Sequence, residues 1–273
     1  MGTLDTTNYI MEHESEGARI RNKTDLESTR SQLMMAGLER GMHCLDVGCA
    51  SGAVSVEMAR LADPGAVVGL DTSEQRLDQA EALAQEAGVS RILFRRGDAY
   101  QIPSEDDTFD FVWNRFLLEY LKDPGAAIRE MKRVTKPGGT VVSADLDGNC
   151  LFHYPIEPRL ERGLEKVMKI LSASGFYPFV GRKLYHYYGQ VGFSDIRVFM
   201  MPHHLIAGVP TENQRQNWYE KIETIRERVT DSSTVSEEMR SIARSFKELI
   251  DSPDTFTYIT DNCSRHQVAF QAV

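Results

Sequence analysis

Between residues 42 and 144, short apolar runs alternate with stretches of helical spacing, and that alternation leaves few ways for the chain to fold. Met42–Val47, Ala66–Leu70, Arg91–Phe94, Phe109–Trp113 and Thr140–Ala144 each read as a short buried strand. Helical periodicity runs through Ala53–Ala62, through a segment opened by the N-cap Ser73 and stopped near Gly88, and through Ala126–Val134, which Pro137-Gly138-Gly139 ends. Strands joined through helices lie parallel, with helices on both faces of the sheet. Right-handed crossovers then bring every strand C-terminus to one edge. Ligands bind at that edge, where the strand order reverses. The residues to weigh are therefore 46–52, 71–72, 97–99, 114–116 and 145–149.

Outside this region the pattern changes. Residues 14–40 are charged, with Ala18, Leu26, Leu33, Met34 and Leu38 at helical spacing, which predicts one or two helices ahead of the sheet. After residue 150 the alternation breaks. Residues 156–191 read as mostly helical, Asp195–Met200 as a strand, 211–250 as two amphipathic helices split near Asp231–Ser233, and Gln267–Ala272 as a last strand. The expected organisation is a helical lid over 1–40, a ligand-binding α/β core over 41–150, and helical cap insertions with the final strands of the same sheet over 151–273. Helices 211–250 suit either a cap over the ligand edge or a homodimer interface.

Composition narrows the function. The chain has 273 residues, 41% of them hydrophobic, enough for a sizeable core. Its formal charge of −9, with no long Lys/Arg cluster, argues against nucleic acid and anionic lipid and for a small-molecule or protein partner. Cys44, Cys49, Cys150 and Cys263 form no C-x-x-C pair, so neither a zinc site nor a redox dithiol is expected. The start, MGTLDTTNYIMEHESEG, lacks a basic-then-apolar leader, and no apolar run reaches the ~18 residues of a membrane span. A cytoplasmic setting with reduced thiols is the expectation.

The strongest local signal is Leu45-Asp46-Val47-Gly48-Cys49-Ala50-Ser51-Gly52, a small-residue turn between strand and helix. Such a turn lets backbone approach a ligand and presents free N–H groups at a helix N-terminus. Asp71 ends the second strand about 20 residues beyond it, where a carboxylate can accept both hydroxyl hydrogens of a ribose. Asp98 follows the third strand; an acceptor-only carboxylate suits an exocyclic amino donor.

With these residues in view, positions 42–145 resemble the class I S-adenosylmethionine-dependent methyltransferases, most of all the ubiquinone-biosynthesis-type, small-molecule subgroup. The segments that carry the resemblance are LDVGCASG, VVGLDTS, FRRGDAYQIP, FDFVWNRFLLEYLKDP and EMKRVTKPGGTVV, in that order. It implies a Rossmann-like seven-stranded, mostly parallel sheet with helices on both faces and a helical cap. Gly48, Cys49 and Gly52 would then pack on the methionine moiety and sugar of S-adenosylmethionine. Asp71 would hold the ribose, with Thr72 beside the adenine and Arg76 in the helix that follows. Asp98, flanked by Gly97, would take the adenine amino group, and the Ala99 N–H a ring nitrogen. Asn114 and Arg115 would lie near the methionine part and the substrate, and Asp46 would orient the turn or meet the amino-acid end. Relatives usually carry glycine where this chain has Ala50. Tyr9…Glu16-x-x-Arg19 resembles a lead-in that folds over the pocket in related enzymes.

Methyl transfer from a sulfonium is an in-line displacement, so positioning and desolvation supply much of the catalysis. A general base helps when the acceptor carries a proton. His153, just after strand five, is the candidate catalytic residue; His186, His203 and His204 are alternatives, with Asp147 as orienter. Phe152, Tyr154, Phe176, Tyr177, Phe179, Tyr185, Tyr187 and Tyr188 suit either an aromatic pocket or packing between cap helices. Asp145-x-Asp147-x-Asn149 lacks the closing Glu of a calcium loop, Ile156 standing at that place, and Asn114 replaces the aspartate of metal-dependent relatives; no metal is expected. The expected activity is O-, N- or C-directed methylation of a small molecule, a natural-product scaffold among the candidates. The alternative is a methyltransferase-like protein that uses bound S-adenosylmethionine for a non-methylating reaction such as cyclisation.

Overall fold

The computed structural model describes residues 26–229 and 233–267, with side-chain contacts over 26–148, 151–226 and 237–260. Its strands are β1 (His43–Val47), β2 (Ala66–Asp71), β3 (Ile92–Arg96), β4 (Phe109–Arg115), β5 (Thr135–Tyr154), β6 (Ile196–Ala207) and β7 (Phe256–Gln267). They form one seven-stranded sheet in the order β3-β2-β1-β4-β5-β7-β6. β1 to β5 pair in parallel, while β7 runs antiparallel to both β5 and β6. This is the mostly parallel Rossmann-like sheet implied by the sequence. The strand order reverses between β1 and β4, and the crevice for a ligand opens there, above Val47 and Asn114, which pair in register.

The helices are α1 (Leu26–Met35), α2 (Ala53–Ala62), α3 (Glu74–Glu86), α4 (Pro124–Val134), α5 (Pro158–Ala173), α6 (Leu184–Val191), α7 (Glu212–Val229) and α8 (Ser233–Asp251). None of the described helices is long and apolar enough to cross a membrane. Local chemistry fixes several ends. Ser73 accepts from the Arg76 N–H at 3.4 Å, and Asp123 accepts from Ala126 at 2.9 Å ahead of Pro124 in the first turn of α4. Strand alternation sorts the side chains between two cores. Cys44, Phe111, Trp113, Val142 and Ala144 pack with Leu33 of α1 and Met58 of α2 on one face. Leu45, Val47, Val112 and Val141 pack with Ile128 and Met131 of α4 and Leu184 and Tyr188 of α6 on the other.

Residues 97–108 cross from β3 to β4 as turns without a helix. Three expectations need correction. Strand five is not confined to Thr140–Ala144 but spans 20 residues, Thr135–Tyr154, and β6 likewise runs on to Ala207. The last strand is Phe256–Gln267 rather than Gln267–Ala272, whose residues 268–272 lie outside the described ones, as do 14–25 of the upstream helical stretch. The cause is mutual pairing. A segment too polar to read as a strand, TDNCSR (260–265) in β7, satisfies its backbone groups between residues 142–147 of β5 and 197–202 of β6.

These long strands make a structure of their own. β4 stops pairing at Arg115↔Ala144, but β5 continues past that edge with β7 as far as Tyr154↔Phe256, and β6 follows to Ala207↔Phe256. The resulting three-stranded arm carries a separate core, where Leu146, Ile206 and Ile259 pack with Leu164 and Met168 of α5, Trp218 and Ile222 of α7, and Met239, Phe246 and Ile250 of α8. Phe116 and Tyr120, just past β4, pack against this cap core and join it to the ligand edge.

Gly181, in a short 3-10 turn, seats the segment before α6 on the base of the arm. A Cβ there would lie 2.8 Å from the carbonyl oxygens of both Asp145 and Leu146, whereas nothing lies within 4 Å of a Cβ at Gly175. Gly181→Ala is expected to cost about 2–3 kcal/mol in urea-monitored unfolding through overpacking. Gly175→Ala, at φ +91°, is expected to cost about 1–2 kcal/mol through its left-handed backbone alone. Equal losses would show that Gly181 is not tightly seated.

Candidate active site at the sheet edge

The turn after β1 is built on left-handed backbone. Gly48, Ala50 and Gly52 have φ of +76°, +47° and +79°. Ala50 pays a steric cost of about 1–2 kcal/mol that glycine would avoid. The Gly48 and Cys49 N–H groups both donate to the Leu70 carbonyl, at 2.7 and 2.9 Å, tying the turn to the end of β2. Gly52 caps α2 without a side-chain acceptor, so the first N–H groups of α2 face the edge. A Cβ on Gly48 would meet Leu117 at 3.1 Å, which puts the post-β4 segment directly over the turn. The Ser51 hydroxyl is fully buried and finds no hydrogen-bond partner among the described residues.

Asp71 is 8% exposed and locks this turn to the next. Its Oδ2 accepts from the Ala50 N–H at 2.9 Å and its Oδ1 from the Ser73 N–H at 3.0 Å. Each oxygen keeps a lone pair for a ligand donor. The Gly97 N–H donates to the Asp71 carbonyl at 3.0 Å, drawing the third loop in. There Asp98 Oδ1 accepts from Tyr100 N–H at 2.9 Å, leaving Oδ2, and Ala99 is buried beside it. Thr72 is exposed and Arg76 half-buried on the outer rim. Asp46, Gly48, Cys49, Gly52, Asp71, Gly97, Asp98 and Ala99 are thus brought to one edge. Tyr9, Glu16 and Arg19 lie outside the described residues.

Below the turn, Asp46 is 2% exposed and accepts from Ser55 Oγ of α2 at 2.5 Å. Burial pushes its carboxyl up to about 6, against the pull of the Ser55 hydrogen bond and the Arg115 charge. Arg115 Nη1 donates to Thr29 Oγ1 of α1 at 2.9 Å. Asn114 points to the opposite face. It is fully buried, and its amide donates to Ser143 Oγ at 2.7 Å, which in turn bonds the Tyr188 hydroxyl at 2.8 Å.

The other candidates scatter. His153 is not at the edge. It lies nine residues beyond Ala144 on the arm, bonds Thr257 Oγ1 at 2.9 Å, and packs on Phe246 with ring centroids 4.9 Å apart. His186 is exposed on α6. His204 packs on Trp218, and His203 on Phe116 at 5.1 Å. The aromatics do not converge on one pocket: Tyr154 and Tyr185 are exposed, Tyr177, Tyr187 and Tyr188 join the α4–α6 core, and Phe176 and Phe179 join the cap core. Asp145 accepts from the Leu118 N–H at 2.9 Å and Asp147 pairs with Arg182 at 2.7 Å, so both carboxylates fasten loops. Sequence reasoning missed Thr29 and Ser55. The first carries no local signal, and the second is visible only as a polar residue on an otherwise apolar helix face.

Comparison with known proteins fits this geometry. The family described as a methyltransferase domain matches residues 45–143. An uncharacterised methyltransferase of Schizosaccharomyces pombe is 37% identical over 164 residues, 57% of this chain and 58% of that protein, so the chain spans little more than half of that relative. A demethylmenaquinone methyltransferase of Staphylococcus aureus is 31% identical over 176 residues, 59% of this chain and 72% of the relative. Among solved structures, phosphoethanolamine N-methyltransferase 2 of Haemonchus contortus shares the fold at 18% identity, with a TM-score of 0.62 over 97% of this chain and 59% of that one. The chain belongs to the class I S-adenosylmethionine-dependent methyltransferases.

Proposed function

We propose that this chain transfers the methyl group of S-adenosylmethionine to a small, largely apolar acceptor held between the sheet edge and the cap. The observation that carries the reading is Asp71, a nearly buried carboxylate with one backbone donor on each oxygen and capacity left for two ligand hydroxyls. The buried Ser51 hydroxyl, which has no partner among the described residues, and the start of α2, which no side chain caps, fit a polar ligand lying on the turn. Asp71 would take the ribose, Asp98 Oδ2 the adenine amino group and the Ala99 N–H a ring nitrogen. Gly48, Cys49 and Gly52 would pack on the sugar and methionine carbons, with Thr72 and Arg76 at the adenine rim.

When bound, S-adenosylmethionine supplies a methyl carbon already activated by a positively charged sulfur. The chain's own task is to fix the acceptor in line and keep water away. Phe116 and Tyr120 provide an apolar wall between edge and cap that suits a flat or aliphatic acceptor. The S. aureus relative, a demethylmenaquinone methyltransferase by name, supports an acceptor of that kind. The −9 charge supports a small molecule over nucleic acid, and free, buried thiols at Cys44 and Cys49 support a reducing, cytoplasmic setting.

Asp71→Ala is expected to weaken S-adenosylhomocysteine binding about 100-fold in calorimetry through loss of charge-assisted hydrogen bonds. Unchanged affinity in a folded variant would defeat the assignment. Incubation with labelled cofactor and a panel of phenols, quinols and amines is expected to give a methylated product; transfer to none of them, with cofactor bound, counts against the activity.

Affinity is also expected to depend on pH. Asp46 titrates near 6 in the free protein, and the α-ammonium of the cofactor favours its ionised form. Binding therefore expels a proton from Asp46 below that value. Affinity should fall as pH drops through about 6, approaching a tenfold loss per unit, and level off above it. Asp46→Asn should flatten the profile; an equal slope in that variant would assign the titration elsewhere.

A further inference from the structure

We propose that a bulge in β6 presents His203 as the base that takes the hydroxyl proton of a phenol- or enol-type acceptor; the assignment rests on the methyl-transfer reading above. His203 pairs with Ile259 of β7 and Ile206 with Thr257, so three steps along β6 match two along β7. The extra residue makes a bulge, a device that re-aims side chains. His204, inside it, has φ +51°. Successive residues of a regular strand face opposite sides of the sheet. Here His203 packs on Phe116 at 5.1 Å and His204 on Trp218 at 5.6 Å, with the two imidazoles 3.9 Å apart, so the bulge gathers both rings on the cap side. Phe116, across the contact, is left-handed as well, at φ +55°. Such backbone is costly for a residue with a side chain; it persists where the surroundings hold it, and it clusters at functional sites. Phe116 follows β4 directly, and its N–H donates to the Ala144 carbonyl at 2.9 Å, so it marks the level at which the parallel sheet ends. His203 therefore stands between ligand edge and cap, and it is only half-buried, within reach of a ligand.

Charge selects the acceptor. The carboxylates Asp46 and Asp71 lie on the cofactor side of the edge. Around the imidazole pair stand Arg115, with its guanidinium 5.2 Å from the Phe116 ring centre, Lys221, 5.1 Å over the Trp218 ring, and His153, 6.2 Å from Trp218. Imidazoles and cations favour an oxygen that becomes anionic and disfavour an ammonium. A neutral imidazole keeps one ring nitrogen as acceptor and is the commonest general base. As the acceptor oxygen bonds to the methyl carbon, its proton passes to a ring nitrogen of His203. The methyl–sulfur bond breaks with its electron pair on sulfur, and the imidazolium later returns the proton to water. His204 is a positioning residue: the Asn217 amide reaches its ring at 3.4 Å and Trp218 packs on it, so α7 holds the ring against which His203 rests.

The test uses 4-nitrophenol, whose ionised form is coloured, on the intact chain loaded with S-adenosylhomocysteine, which has no methyl group to give. At a pH where the free probe is mostly neutral, the bound probe is expected to be phenolate in the wild-type chain and to stay neutral in His203→Gln. His204→Gln, which leaves the base in place, should keep the phenolate signal. The loaded wild-type chain should also bind 4-nitrophenol about tenfold more tightly than 4-nitroaniline, which has the same outline without an acidic hydroxyl. With S-adenosylmethionine instead, kcat on 4-nitrophenol should fall about 100-fold in His203→Gln, with KM changed less than about threefold. A neutral bound probe in the wild-type chain, the same spectrum in His203→Gln, or equal affinity for the two probes overturns the assignment. If His203→Gln does not fold, the wild-type spectrum and the two affinities decide. Failure of 4-nitrophenol to bind the loaded chain overturns this assignment alone, whereas failure of S-adenosylhomocysteine to bind overturns the methyl-transfer reading itself.

Discussion

The edge of this sheet depends on one carboxylate shared between two loops. Asp71 accepts the Ala50 N–H from the turn after β1 and the Ser73 N–H that begins α3, while the carbonyls of Leu70 and Asp71 take N–H groups from Gly48, Cys49 and Gly97. Three loops that would otherwise move independently are thereby referenced to the last two residues of β2. Backbone donors at a binding edge must find acceptors or stay wet, and here the acceptor that satisfies them is also the proposed ligand group. Pre-organisation follows without added parts, because the residue proposed to take the sugar is held in place by the turn it helps to shape.

The arm and cap solve a different problem. A parallel sheet whose strands all end at one level leaves its ligand edge open to water. Here β5, β7 and β6 continue past that level and supply a surface on which α5, α7 and α8 bury a second core, independent of the one beneath the sheet. Asp145 and Asp147 sit where the arm leaves the sheet, one holding the Leu118 N–H and the other Arg182. Carboxylates that resemble a metal loop in the sequence are used to fasten the segments after β4 and before α6. The cap is thus anchored by polar contacts at its root and by apolar packing along its length.

What could be read from the sequence divides along the same line. Ser73, Gly52 and Asp71 were legible because caps, left-handed turns and strand-end carboxylates act within a few residues. The sheet core was legible because alternation of strand and helix admits few topologies. The length of β5 and the whole of β7 were not, since each is polar enough to pass for loop and becomes a strand only by pairing with the other, more than 100 residues away. His153 misled for the same reason: a position just after a short strand would face a ligand, but the same position far along an extended arm is packed against Phe246 and Trp218. Thr29 was invisible because its meaning lies in Arg115, 86 residues downstream.

Electrostatics give the turn a preference for cations that no single residue shows. Asp46 and Asp71 repel each other's charge, and the Cys49 thiol is pushed well above its ordinary value by burial first and by those two carboxylates next, so it stays neutral. In the free protein the cluster is opposed by Arg115 and by the N-terminus of α2. Burying a carboxylate costs stability, and the rise of the Asp46 carboxyl to about 6 comes first from that burial, with the nearby Asp71 charge adding the least. A ligand bearing an ammonium and a sulfonium relieves it, whereas the neutral thioether left after methyl transfer relieves less. The same surplus of negative charge that makes the empty turn uncomfortable would therefore favour the charged cofactor over its spent form and help the product complex to dissociate.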